Sequence, residues 1–110
     1  MTCYWEVEHK IKVQDKELVY RFKEIDPLDI LSIASEMELY FQEKDNDVYK
    51  KYLNDALSNT EVKVNTQWLP LKEGNNYYPA YMKSSLKALR EIVNVFFSEV
   101  IIPVFTESNG

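Results

Sequence analysis

A chain of 110 residues, 45% apolar and 28% charged, has the size and balance of one folded domain, which excludes general disorder. Eighteen acidic against thirteen basic residues give a net charge of −5, arguing against non-specific binding to nucleic acid or to an anionic membrane. The single cysteine, Cys3, excludes an internal disulfide and a multi-cysteine zinc site, and points to a reducing compartment.

The first predicted element is "CYWEVEHKIKV", in which Trp5, Val7, His9, Ile11 and Val13 alternate with Glu6, Glu8, Lys10 and Lys12. That period of two predicts a half-buried strand over residues 4–13. After "QDK" the alternation resumes with Leu18, Tyr20 and Phe22, predicting a second strand over 17–24 and an antiparallel hairpin. His9, the only histidine, has no second ligand at metal spacing and reads as a strand residue at the sheet rim.

"DPLDILSIASEMELYF" opens with Asp26 as cap and Pro27 in the first turn, so a helix follows. Its core stripe is expected at Leu28, Leu31, Ala34 and Met37, widened by Ile30 and Ile33. "DNDVYKKYLNDALSN" predicts a second helix capped by Asn46 or Asp47, with Val48, Tyr52, Leu53, Ala56 and Leu57 inward. "EVKVNTQWL" returns to period two and reads as one strand, with Val62, Val64, Thr66 and Trp68 on a common face.

The stretch "WLPLKEGNNYYPAYM" then concentrates a Trp, three Tyr and two Pro in a looped arm turning at "KEGNN". Two readings stay open for Trp68, Tyr77, Tyr78 and Tyr81: a lid over the end of the core, or a partner-binding edge, since Tyr and Trp are enriched at interface centres. The last helix starts near Ser84 or Ser85 and runs through "LKALREIVNVFFSEVII", with Leu86, Leu89, Val93, Phe96 and Val100 as its stripe and Ile92, Phe97 and Ile101 widening it. Pro103 is expected to end or kink it, leaving 105–110 as a frayed tail.

No stretch reaches the roughly eighteen apolar residues of a membrane span, and "MTCYWEVEHK" lacks the basic-then-apolar start of a signal peptide, so the expectation is a cytoplasmic protein. Gly-rich phosphate loops, Gly-x-Ser-x-Gly and His-Glu-x-x-His are all missing. Cys3 and His9, about 20 Å apart on an extended strand, cannot form a catalytic pair. Glu36, Glu38, Glu43, Asp45 and Asp47 lack the Gly and closing Glu of a calcium loop. The expectation is therefore a non-enzyme, with no catalytic residue, cofactor or metal.

The order of motifs resembles a family. A hairpin leading into "IDPLDILSIA", then "WLPLKEGNNYYP", then "ALREIVNVFFSEVIIPVF" is similar to the small acidic phage tail assembly chaperones encoded just before the tape-measure gene. The resemblance covers most of the chain and is carried by "EIDPLDIL" and "YYPAYMKSSLKALREIVNVFF". It implies a chaperone of the host cell cytoplasm that coats the tape-measure protein, helps recruit tail-tube subunits and leaves before the virion matures. Such proteins often have a longer, frameshifted form, and the short polar terminus here fits the unextended one. The rival reading is a small acidic inhibitor of a host or defence protein.

Together these readings predict one α+β domain: a small antiparallel sheet with an N-terminal β-hairpin, packed by about three helices, the last one long. Protein partners are expected at Trp68, Tyr77, Tyr78, Tyr81, Phe97 and Ile101, with self-association into an oligomer compatible with the exposed aromatics.

Overall fold

Ile11, Val13, Leu18, Tyr20 and Phe22 alternate along two paired strands, so one side of the hairpin is apolar and must be covered. In the computed structural model, which describes residues 2–106, strands β1 (His9–Val13) and β2 (Lys16–Phe22) pair with Ile11 opposite Leu18 and His9 opposite Tyr20. The two residues between them, Gln14 and Asp15, both take positive φ (52° and 65°), the backbone that a tight two-residue hairpin requires. The strand predicted from residue 4 begins later. Pairing stops at His9, and Tyr4–Glu6 forms a short 3₁₀ turn whose Tyr4 hydroxyl accepts from the Ile25 amide at 2.7 Å. Alternation without a partner strand does not make a strand.

Helix α1 (Pro27–Glu43) starts as its cap predicts, with the Asp26 carboxylate accepting from Leu28 N at 2.8 Å and Pro27 in the first turn. It ends at Lys44, which takes the left-handed conformation at φ 57°. Helix α2 (Asn46–Ser58) is capped by Asp45, one residue before the predicted candidates, through a 2.8 Å bond from Asp47 N. Lys51 of α2 ties the two helices together, reaching Glu36 of α1 and Asp55 of its own helix.

After α2 the chain re-enters the sheet as β3 (Thr60–Val64), turns at Asn65 (φ 59°) and returns as β4 (Gln67–Pro70). The sheet order is β1-β2-β3-β4, antiparallel throughout. A single strand over this stretch was expected, with Trp68 on the face of Val62 and Val64. The turn reverses the parity: Trp68 pairs with Lys63 on the outer face, while Leu69 pairs with Val62. Strands β5 (Lys72–Glu73) and β6 (Asn76–Tyr77) form a separate small hairpin turning at Gly74, whose φ of 59° suits a residue without Cβ.

Helix α3 (Leu86–Phe96) passes directly into a wide π turn at Phe97–Ile101 and then into α4 (Ile102–Thr106), together one 21-residue terminal helix. Pro103 does not end it. The wide turn precedes the proline, with Ile102 N bonded five residues back to Phe97 O, and such local widening lets a helix absorb a residue that cannot donate. Neither serine caps α3 through its side chain; Ser84 Oγ and Ser85 Oγ both donate to Tyr81 O. Of the tail expected to fray, residues 105 and 106 are helical, and 107–110 lie outside the described residues.

The core sits between the inner sheet face and the three helices. Phe22, Tyr52 and Phe96 are fully enclosed at its centre, with Phe22 and Phe96 packed edge to face at 5.3 Å between ring centroids. The fold is the α+β domain that the patterning predicts.

Candidate functional site

The aromatic arm divides between core and surface by residue type. Its anchors are aliphatic: Leu71 and Met82 are fully buried, and Leu71 exchanges backbone bonds with Thr60 and Tyr78, each of 2.9 Å. Its rings stay outside or at the margin. Trp68 lies under the Arg21 guanidinium, 4.1 Å from the ring centroid, with Arg21 also bonded to Glu61 at 3.1 Å. Tyr77 and Tyr81 pack partly on the core, beside the Lys72 and Lys16 ammonium groups respectively, while Tyr78 is 44% exposed. The arm is anchored to the core by Leu71 and Met82, with Tyr77 and Tyr81 packed against its margin.

The six residues expected to meet a partner therefore do not form one surface. Trp68 stands on the outer sheet face, and Tyr77 lines a cleft between α2, α3 and the β5–β6 hairpin. Phe97 lies toward α1, its ring 6.3 Å from that of Phe41. Ile101 is fully buried in the core and offers nothing to a partner, because the apolar face of the terminal helix turns inward there. Phe96, Val93 and Val100 are buried as expected; Phe97 is only partly so.

A different apolar surface emerges in their place. The core stripe predicted for α1 includes Leu28 and Leu31, yet they are 74% and 51% exposed, because Ile33, Ala34 and Met37 take the inward positions. Ile102 and Phe105 of the terminal helix are exposed as well, by 38% and 48%. Pro27, Ile30 and Leu31 face Pro103 and Val104 across a groove of about 300 Å³. Since residue 31 neighbours 103 and 104 while Phe41 neighbours Phe97, the two helices run antiparallel along this groove. Residues 27–43 and 91–106 contain no Lys or Arg, and their charges are Asp29, Glu36, Glu38, Glu43, Glu91 and Glu99. No family model, curated protein or solved structure matches this chain at a significant level.

Among the titratable groups, His9 stacks on Tyr20 at 5.1 Å, and its Nε2 is buried without a protein partner. Burial holds its pKa below the ordinary value, with the Glu99 charge opposing. Burial likewise pushes the Tyr20 phenol up to about 12. Among the described residues no three His, Cys, Asp or Glu side chains gather in a metal-holding group, and no helix is long and apolar enough to cross a membrane. What the surface offers is a shape and a polarity suited to binding.

Proposed function

We propose that this protein is a non-enzymatic phage tail assembly chaperone, holding the helical tape-measure protein and tail-tube subunits in the host cytoplasm during assembly. The observation that supports it is the exposed apolar groove between α1 and the terminal helix, formed by two stretches, 27–43 and 91–106, whose charged residues are all acidic. A groove between antiparallel helices suits a third, amphipathic helix, whose apolar side chains replace the water over Ile30, Leu31, Pro103 and Val104. The acidic balance of the two stretches favours a client with basic segments and speeds its capture by long-range attraction. The exposed Tyr78 and the half-buried Phe97 supply further contacts around the same helix pair and arm.

Co-expression with the tape-measure protein encoded by the same phage tests the reading. The chaperone should keep that long helical chain soluble and co-purify with it in many copies. Leu31→Ser combined with Phe105→Ser should abolish the rescue while leaving the melting temperature near the parent's, since both side chains are exposed. Failure to bind any tail protein, with stoichiometric capture of a host enzyme, would replace the chaperone by an inhibitor.

A further inference from the structure

A second cleft, of about 540 Å³, opens where α2, α3 and the β5–β6 hairpin meet. Its apolar lining comes from Leu53 and Leu57 of α2 and from Leu89 and Val93 of α3, with Leu86, 73% exposed, at its lip. Three cations from three elements line it: Lys50, Lys72 and Arg90. No carboxylate does, although the chain carries eighteen acidic residues. Glu91, next to Arg90, turns instead to the neighbouring hollow beside Lys87 and Ser84.

The ion pairs among the described residues are Arg21 with Glu61 and Lys51 with Glu36 and Asp55, so none of these three cations is neutralised. The Lys72 ammonium is positioned by neutral acceptors, Asn54 Oδ1 at 2.6 Å and the Gly74 carbonyl. In a protein of net charge −5, three unpaired cations around one apolar cleft form a local site of opposite sign. Asn54, Asn75 and Asn94 also line it. A hydrocarbon tail would leave those amides facing carbon, whereas the N–H and C=O groups of a peptide can pair with both their donors and their acceptors.

We propose that this cleft is a binding site for an acidic peptide segment with large apolar side chains, distinct from the apolar groove between α1 and the terminal helix. Leucine or phenylalanine side chains of the segment cover Leu53 and Leu89, its carboxylates meet Lys50 and Arg90, and its backbone pairs with the amides. The size lies within the range of clefts that enclose a few anchoring side chains. The cleft and the α1 groove share no lining residue, so the two can be occupied independently.

The test uses the full chain and a fluorescein-labelled peptide alternating glutamate with leucine and phenylalanine. Anisotropy should show micromolar binding that weakens as salt rises. Methyl resonances of Leu53, Leu89 and Val93 should shift on titration while those of Leu28 and Leu31 stay in place. Lys50→Glu with Arg90→Glu should lower affinity by about tenfold or more, and Lys87→Glu, outside the cleft, should not. Both altered side chains are exposed, so folding is preserved, and unchanged amide spectra verify it. Equal binding of the lysine-for-glutamate peptide, or indifference to the double charge reversal, would overturn the assignment. So would dodecanoate shifting the same methyls where the peptide shifts none, which would make the cleft a site for a small amphipathic anion.

Discussion

The terminal helix presents two opposite faces built from the same kind of residue. Its inner face, Ile92, Phe96, Val100 and Ile101, is enclosed to within a few per cent, whereas Ile102 and Phe105 near its end stand open. Both faces are apolar and both are helical. They differ in whether the sheet lies opposite, and that difference separates residues that hold the fold from residues free to hold something else. Composition cannot make the distinction, because Phe96 and Phe105 read alike in a hydropathy pattern.

The comparison can be broken most forcefully at Phe96. Phe96→Ala removes a ring in contact with Phe22 and Tyr52 and should cost about 3–5 kcal/mol of stability, measured by urea unfolding. A mutant with an unchanged midpoint would mean that the inner face is not the core. Leu31→Ser with Phe105→Ser should behave in the opposite way. Its loss of client binding should be about 2 kcal/mol or more by titration calorimetry, with a stability change within about 0.5 kcal/mol. A large drop in melting temperature would place these side chains with the core residues.

Tyr52 sharpens the comparison from inside. Its ring is fully buried, but its hydroxyl has no protein partner, so burial raises its pKa and leaves a donor unmatched. Tyr52→Phe should therefore be neutral or stabilising by up to about 1 kcal/mol, visible as a small rise in the urea midpoint.

The smallest effect concerns pH. Burial holds the folded-state pKa of His9 below that of the unfolded chain, about 6.5, so on acidification the unfolded chain takes the proton first. Stability should decline as pH falls below about 6.5, down to the depressed folded value, and be unaffected by this group above that window. His9→Gln should flatten the decline between neutral pH and about pH 5, as followed by thermal melts. An identical slope in the variant would assign the acid sensitivity elsewhere.

Much of the fold is legible in the residue pattern, and the exceptions have specific causes. The β1–β2 hairpin is legible from two alternating runs, and α1 from Asp26 and Pro27. The β3–β4 hairpin is not, because "NT" lacks the glycine that marks the common tight turns, and the alternation on either side passes through it unbroken. The unbroken pattern therefore puts Trp68 on the face of Val62, whereas it pairs with Lys63 on the other. The exposed groove is hidden for a different reason: α1 is apolar on more than one side, with Leu28, Ile30, Leu31, Ile33 and Ala34 all within two turns. A helical period cannot decide which of them faces inward; only the position of the terminal helix and the sheet does. For the cleft, Lys50, Lys72 and Arg90 are separated by 22 and 18 residues in the chain, and nothing local announces that they converge.

The wide turn at Phe97–Ile101 works as a phase adjuster between the two parts of the terminal helix. Each residue of an α-helix advances the side-chain direction by about 100°, so one residue more or fewer in this turn re-aims everything beyond it. Removing a single residue from 97–101 would leave Leu86–Phe96 seated on the sheet while swinging Pro103, Val104 and Phe105 about the axis, away from their present alignment with Pro27 and Leu31. The outer surface can thus be re-aimed by a one-residue change in length, with only Val100 and Ile101, which the turn itself holds in the core, having to repack.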